Sequence, residues 1–220
     1  MTHLPCPVLR FPELDAIPGV RAAFLARCPG VDVDADRETA LARLRAIHRE
    51  TADAAGFAGM PFVTAEQVHS DGVAFVEAPS AGPIPGVDGL FTRTRGLCLA
   101  IYVADCAAVY LAAEDGGAIA LLHSGRAGTR LNIVARGVRA MAEQCGCAPE
   151  SLIANISPCI RPPHYEVDFA AEIFSQLRNA GVRKIHDAGD CTASDPEKFY
   201  SYRKEKGRTG RMLALAACRT

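Results

Sequence analysis

Short apolar runs alternate along this chain with longer segments whose apolar residues recur at helical spacing. The apolar runs predict strands over Val20–Ala26, Leu152–Ile156 and Met212–Cys218, and three more strands in close succession between Leu97 and His123. The proline- and glycine-rich segment PSAGPIPG predicts a loop within one domain, because the short strands around it need one another to form a sheet.

Four segments have the sequence features of helices. The first covers residues 36–54, starts at an aspartate-rich turn and places Leu44 and Ile47 on one face. The others are residues 129–144, residues 169–179 and residues 194–204, the last opening with the Ser-x-x-Glu capping-box pattern. Strand clusters separated by helices predict an α/β fold of mixed α+β type, with layered mixed sheets and helices outside them.

The composition is that of a compact globular protein. A chain of 220 residues can form a single domain over residues 1–220 and bury about 70% of its unfolded surface. The hydrophobic fraction of 49% and the charged fraction of 22% are ordinary. The net charge of −1 and the lack of a basic block argue against nucleic acid and anionic membranes as partners.

The cysteines and the opening segment indicate a cellular compartment. MTHLPCPVLRFPELD has proline and charge where a signal peptide has an apolar core, and no run is long enough to span a membrane. We therefore expect a cytoplasmic protein. Nine cysteines are an odd number, and a reducing cytosol opposes disulfides, so we expect none. Cys145 and Cys147 fit apolar packing at a helix end better than a metal or redox pair.

Three potential metal ligands close three separate strand-like runs. His69 ends MPFVTAEQVH, Cys106 ends LCLAIYVADC and His123 ends GAIALLH. Side chains at strand ends can meet at one rim of a sheet, and two imidazoles with one thiolate form a zinc site that leaves a fourth position open for water. The intervals between them are much wider than those of a zinc finger, so the spacing by itself does not identify the site.

The sequence around these residues resembles a family of small bacterial purine nucleoside phosphorylases, the YfiH-like proteins, which have long carried the label polyphenol oxidase or laccase. The matching segments follow the order of the family. They are Gln67–His69, Ala104–Cys106, His123–Gly125 with Gly128–Thr129, Ser157–Ile160, Tyr165–Val167, Cys191–Thr192, Ser201–Arg203 and Thr209–Arg211.

The resemblance implies a YfiH-like fold and a zinc site made by His69, Cys106 and His123. It also implies phosphorolysis of purine nucleosides such as adenosine and inosine, and deamination of adenosine, with a purine nucleoside and phosphate as the partners. Copper is disfavoured, because a multicopper centre needs closely paired imidazoles and this chain has six scattered histidines without a His-x-His pair.

Three charged residues are candidates for catalytic roles. Asp105 precedes the thiolate ligand and could orient an imidazole, or it is a turn residue at a strand end. Glu166 lies in a matched segment and is a candidate general acid or base, or a solvated loop carboxylate. Arg43 matches a helical arginine that the family places near the site and could hold phosphate, or it belongs to a solvated helix face.

The loop from Gly125 to Thr129 runs from a strand end into a helix. Free backbone amides at such a helix start suit an anion, and an ordinary strand-to-helix turn is the alternative. The candidates for substrate or phosphate binding are Gln67, Gly125, Arg126, Gly128, Thr129, Arg203 and Arg211.

The same loop departs from the family pattern His-Ala-Gly-Trp-Arg-Gly. Arg126 and Ala127 replace the aromatic-basic pair, and the chain contains no tryptophan. This leaves open a homologue that binds its ligand with weakened or lost catalysis. Another alternative is a cysteine hydrolase with Cys106 as the nucleophile and His123 or His69 as its base. Stoichiometric zinc would make the thiolate a ligand and not a nucleophile.

Overall fold

The computed structural model describes residues 5–219 and contains two β-sheets with helices around them. The first four residues, which open the segment considered for a signal peptide, lie outside the described residues, as does Thr220. The strands of the described part are β1 (Val8–Leu9), β2 (Val20–Leu25), β3 (Phe62–Thr64), β4 (Val73–Phe75), β5 (Gly89–Thr92), β6 (Cys98–Val103), β7 (Ala107–Ala113), β8 (Ile119–Ser124), β9 (Leu152–Ile156), β10 (Lys184–Asp187) and β11 (Met212–Cys218). The helices are α1 (Pro12–Asp15), α2 (Arg37–Ala52), α3 (Arg126–Arg130), α4 (Ile133–Cys145) and α5 (Phe169–Asn179).

Both sheets are mixed. One has five strands in the order β1-β2-β11-β6-β3, and the other has six in the order β10-β9-β7-β8-β5-β4. The parallel pairs are the edge pairs β3–β6, β4–β5 and β9–β10, and the remaining pairs are antiparallel. The predicted fold class is confirmed, as are the strands predicted in the apolar runs near residues 20, 152 and 212 and between residues 97 and 123.

The main core fills the space between the two sheets. In β11, Ala214 and Ala216 face this core, while Leu213 and Leu215 pack on the opposite face against a cluster that includes Phe57. Because both faces of the strand are covered, its sequence is an unbroken apolar run without alternation.

Helices cover the outer face of the six-stranded sheet. Val109 and Leu122 of this sheet share a core cluster with Val138 of α4 and Ile173 of α5. The end of α2 and the π-helical turn that follows it cover the outer face of the five-stranded sheet. The layers are therefore helix, sheet, sheet and helix, with the helices outside as predicted.

The predicted helix over residues 36–54 is confirmed as α2. The Asp36 side chain accepts a hydrogen bond from the backbone N–H of Thr39 at 3.0 Å and so caps the first turn. The apolar residues Ala40 and Leu44 are buried in the main core. The predicted helix over residues 169–179 is likewise confirmed as α5, and the side chain of Asp168 caps it.

The predicted single helix over residues 129–144 is wrong in one respect, because the segment forms two helices. α3 ends at Arg130 and α4 starts at Ile133. Between them Asn132 has a left-handed backbone with φ of 60°, a conformation that asparagine tolerates better than most residues. The break lets α4 turn its own apolar face onto the sheet.

The helix predicted over residues 194–204 is also wrong, since the segment consists of turns. The side chain of Asp195 accepts from the backbone N–H of Lys198 and fixes a turn there. Phe199 and Tyr200 follow and are both fully buried in the main core. Burial of these two large side chains in the main core takes precedence over the local capping pattern.

The cysteines differ from expectation at one pair. Cys6 and Cys28 are both buried and form a disulfide, which corrects the prediction of none. Cys145 and Cys147 are free, half-buried and packed against the cluster between α4 and its sheet, in agreement with the packing interpretation. Among residues 5–219, no helix combines the length and the apolar character that crossing a membrane requires.

Candidate metal centre and its cavity

His69, Cys106 and His123 converge on one point, with one donor atom from each side chain within 4.8 Å of the others. His69 lies in the loop after β3, Cys106 lies between β6 and β7, and His123 lies in β8. The two imidazole rings are 5.0 Å apart and meet edge to face. Both sheets therefore contribute to the group, and only His123 lies within a strand.

Asp88 orients two of these three residues, although the sequence analysis did not single it out. It is fully buried, and the His123 Nδ1–H donates to its Oδ1 at 2.7 Å. The backbone N–H groups of Val68, His69 and Ser70 donate to the same carboxylate. Burial raises the pKa of Asp88, but the hydrogen bonds from His123 and Ser70 outweigh it and lower this pKa to about 2. The arrangement leaves Nε2 of His123 free as a ligand atom.

The backbone near the site adopts left-handed conformations at residues other than glycine. Gln67, His69 and Asp105 have φ of 63°, 62° and 79°. Such conformations cost free energy and persist only where surrounding contacts enforce them. At Gln67 the side chain supplies those contacts, since its amide donates to the Tyr102 carbonyl at 2.6 Å and accepts from the Tyr102 N–H at 3.0 Å. The amide that was a candidate for substrate binding therefore holds the loop to β6.

The electrostatics of the trio fit a bound cation. Burial raises the pKa of the Cys106 thiol, but His123 and His69 outweigh it and lower this pKa to about 6. Burial lowers the pKa of His123, whereas Cys106 and Asp88 raise it to about 9. His123 thus lies between two anionic groups, and a metal cation would neutralise that local negative charge. One thiolate and two imidazoles form the donor set of three-ligand zinc sites.

The loop after β8 provides space for the thiolate, and its Thr129 side chain is buried. A Cβ atom at Gly125 would overlap the Sγ of Cys106, so this position requires glycine. A Cβ at Gly128 would lie 3.3 Å from the His123 carbonyl oxygen, which is tight packing. The hydroxyl of Thr129 is fully buried and hydrogen-bonds to that of Ser124. Since α3 has only five residues, these contacts favour a strand-to-helix turn over the predicted anion site.

Asp105 orients backbone and not an imidazole. Its carboxylate accepts from the Thr192 hydroxyl and from the backbone N–H of Arg203, each at 2.7 Å. The segment that carries Arg203 is thereby fixed against the loop of Cys106. The role predicted for Asp105 belongs to Asp88, which follows the turn before β5.

Glu166 is paired with two arginines. Its Oε1 and Oε2 accept from Arg126 and Arg203 at 3.0 and 2.8 Å, and all three side chains are more than half exposed. Arg203 also lies over the ring of Tyr165. Both arginines line the cavity beside the metal centre, whereas Glu166 stays outside its wall. The geometry therefore gives Glu166 the task of holding the two guanidinium groups and does not favour general acid or base chemistry.

Arg43 lies away from the cavity, and its guanidinium binds Asp32. The α2 residue that lines the cavity is Arg37, in the first turn of the helix. The helix that the resemblance indicated does reach the cavity, through Arg37 and not through Arg43.

One cavity of about 760 Å³ joins the metal centre to these side chains. Its wall includes Gln67, Asp105 and the predicted basic residues Arg126, Arg203 and Arg211. The wall also contains residues that were not candidates from the sequence, namely Arg37, Tyr102, Phe169, Tyr202 and Lys206. Tyr202 lies inside the matched segment Ser201–Arg203, and Lys206 follows that segment within the same run of turns, so the match was the available signal for both.

A family model described as multi-copper polyphenol oxidoreductase laccase matches residues 30–172 and 164–219. A purine nucleoside phosphorylase of Corynebacterium glutamicum is 34% identical to this chain over 74% of this chain and 77% of that protein. A purine nucleoside phosphorylase of Deinococcus radiodurans is also 34% identical, over 98% of this chain and 94% of that protein. Among solved structures, YlmD from Geobacillus stearothermophilus has a TM-score of 0.78 at 27% identity and covers 93% of each chain. YfiH from Bacillus licheniformis shares the fold at 22% identity, with a TM-score of 0.78 over 92% of this chain and 94% of that chain.

Proposed function

The chain belongs to the multi-copper polyphenol oxidoreductase laccase family, and from this premise we propose that it is a purine nucleoside phosphorylase. The family resemblance predicted from the sequence is thereby confirmed. Support for the activity comes from the name purine nucleoside phosphorylase that its curated relatives carry. The solved structures of YlmD and YfiH share the fold over 93% and 92% of this chain.

The observation that carries the proposal is that one cavity contains both the His-Cys-His group and a set of cationic side chains. Its volume of about 760 Å³ is that of a small-molecule site and accommodates a nucleoside with phosphate. In phosphorolysis a phosphate oxygen forms a bond to C1′ of the ribose while the bond from C1′ to the purine nitrogen breaks. The electron pair of that bond leaves with the base, which takes up a proton. Cationic groups bind the phosphate, and the rings of Tyr102, Tyr165 and Phe169 supply apolar surface for the substrate.

We propose zinc as the metal of this centre, held by His69, Cys106 and His123. A bound zinc would supply positive charge and an activated water at an open ligand position. Among residues 5–219, this trio is the only cluster of three or more potential metal ligands. A multicopper centre needs several clusters of imidazoles, so the ligand set supports zinc despite the name of the family.

Adenosine deamination at the same site is the second activity that we propose. Water adds to C6 of the adenine ring and ammonia leaves, so the reaction needs no phosphate. The cavity beside the metal centre supports it, because the same base-binding surface would present C6 to that centre. Omission of phosphate from the assay separates the two reactions.

A cysteine hydrolase remains the competing function. The observation in its favour is the contact between the Cys106 thiolate and the imidazoles of His123 and His69, which is also the arrangement of a nucleophile with its base. The orientation of His123 by Asp88 suits both functions. Metal content discriminates between them.

The test compares Cys106→Ala with the parent protein. We expect more than about 100-fold weaker metal binding and near-complete loss of nucleoside turnover, because even a group that only hydrogen-bonds a ligand contributes about 10- to 100-fold. Zinc is measured by elemental analysis, and turnover of adenosine and inosine is measured with and without phosphate. Cys145→Ala, which removes a half-buried free thiol outside the cavity, serves as the control. A Cys106→Ala protein that keeps its zinc and loses only activity would favour the hydrolase.

A further inference from the structure

The positive charge of the cavity is unevenly balanced. Five cationic side chains line it, and two of them, Arg126 and Arg203, form ion pairs with the single carboxylate of Glu166. The other three are Arg37, Lys206 and Arg211. Within residues 5–219, none of these three forms a salt bridge with a carboxylate.

One carboxylate, that of Asp105, also lines the cavity. Its two oxygens accept from the Thr192 hydroxyl and the Arg203 backbone N–H, so it forms no ion pair with any of these three cations. Three cations that share one cavity without an ion-pair partner repel one another. Burial lowers the pKa of Arg211, and the charge of Arg37 lowers it further. An anionic ligand would relieve both effects.

Arg211 is held rigidly in position for such a ligand. It is 9% exposed, and its Nη1 donates to the carbonyl oxygens of Thr209 and Gly210, both at 2.9 Å. Within residues 5–219, Nε and Nη2 form no hydrogen bond. These two nitrogens are the edge of a guanidinium that binds two oxygens of a phosphoryl group at once. Arg211 lines the same cavity as His69, Cys106 and His123.

We propose that Arg37, Lys206 and Arg211 form a binding site for a phosphoryl group. The inference rests on the proposed function and deepens it, because it assigns the phosphoryl group to the cations that Glu166 does not bind, and not to the loop after β8. The shared chemistry is a tetrahedral oxyanion with two negative charges. It comes either from inorganic phosphate, as the attacking substrate, or from the phosphate ester of a nucleotide.

The test measures binding of two probes, inorganic phosphate and adenosine 5′-monophosphate, by calorimetry on the full chain. The double variant Arg37→Gln with Lys206→Gln removes two charges of the site and leaves the buried Arg211 intact. We expect its dissociation constant to rise about 10- to 100-fold, as charge-assisted hydrogen bonds are lost. The control is Arg45→Gln with Lys204→Gln, which removes the same charges from α2 and from the same turn segment at exposed positions outside the cavity.

A rise for inorganic phosphate supports the site and assigns it to the attacking substrate, and a rise for the nucleotide alone supports it and assigns it to the phosphate ester. Unchanged affinity for both probes, an equal loss in the control, or no binding of either probe by the parent overturns the proposal.

Failure of the proposed function, nucleoside phosphorolysis, can be distinguished from failure of the phosphoryl site. Phosphate affinity that depends on Arg37 and Lys206 in a protein without nucleoside turnover would retain the site and reject phosphorolysis. Phosphorolysis with an unchanged KM for phosphate in the variant would do the reverse.

Discussion

Asp88 is the residue on which the geometry of the metal centre depends most directly. Its fully buried carboxylate accepts from the imidazole of one potential ligand, His123, and from the backbone N–H of another, His69. A group that acts through two ligands at once controls the tautomer of one and the position of the other. Its effect should therefore appear in metal affinity before it appears in the chemistry of the substrate.

Asp88→Asn should weaken metal binding by about 10- to 100-fold, because the amide is a poorer acceptor for the imidazole N–H and one side of it can only donate. Competition with a chelator of known affinity measures the effect. Asp71→Asn removes a carboxylate from the loop between β3 and β4 that carries His69, where it binds Arg136, and should leave the affinity unchanged. Equal metal affinity of Asp88→Asn and the parent would show that the carboxylate does not orient the ligands.

Arg126 and Ala127, which replace the aromatic-basic pair of the family pattern, should limit the turnover of nucleosides. Arg126 lines the cavity where the family pattern has an aromatic residue, and an aromatic contact is worth about 1–3 kcal/mol per stacked base. Arg126→Trp with Ala127→Arg should raise kcat/KM for adenosine or inosine in phosphate buffer by about tenfold or more. Loss of the exposed Arg126–Glu166 pair should cost little stability. Ala127→Arg alone is the control, and no gain in the double variant would mean that this loop does not limit turnover.

At the scale of the element, α2 connects the cavity to the core. Its first turn carries Arg37 at the cavity, and its third turn buries Leu44 in the core between the sheets. Further along, His48 is 2% exposed, and neither ring nitrogen has a hydrogen-bond partner in the described chain. Burial lowers the pKa of His48 to about 4. The buried imidazole of His48 is therefore neutral in the folded protein at neutral pH and resists protonation.

Because of His48, the protein should become less stable as the pH is lowered. Below its ordinary pKa of about 6.5 the unfolded chain binds a proton that the folded protein refuses until about pH 4. The contribution of His48 to the free energy of unfolding is therefore fully retained above pH 6.5 and decreases as the pH falls to 4, by about 3 kcal/mol. Urea titrations between pH 7 and 5 measure this slope. His48→Leu should flatten it, whereas His186→Gln, at an exposed position, should not; equal slopes in all three proteins would contradict the assignment.

At the scale of the whole molecule, the two sheets depend on one another. The core between them contains Phe24 and Ile101 from the five-stranded sheet and Tyr110 and Leu121 from the six-stranded sheet. The metal centre also needs both sheets, since His69 follows a strand of one sheet and His123 lies in the other. On these grounds we propose that the chain is a single domain.

A single domain should unfold in one transition. Urea unfolding followed by far-UV circular dichroism and by tyrosine fluorescence, the intrinsic signal of a chain without tryptophan, should give coincident curves. Leu121→Ala should lower both midpoints together through a loss of about 2–5 kcal/mol, because it opens a cavity in the shared core. Two separated transitions, or a shift in only one probe, would show that the sheets unfold independently.

The sequence by itself determined the elements whose cause is local. Strands buried on both faces are continuous apolar runs, and the helices at Asp36 and Asp168 begin where a carboxylate can cap the first turn. The motifs around His69, Cys106 and His123 identified the family and a group of side chains that does converge.

Only the tertiary structure decided which charges meet, because those contacts join residues far apart in the chain. Asp88 and His123 are 35 positions apart, and Arg126 and Glu166 are 40 apart, so no local pattern pairs them. Local sequence likewise could not show that Arg37 and not Arg43 lines the cavity. Both arginines are exposed residues of α2, and only the packing of the helix brings Arg37 to the cavity. The turns at residues 194–204 replace a predicted helix because burial of Phe199 and Tyr200 outweighs the local capping pattern.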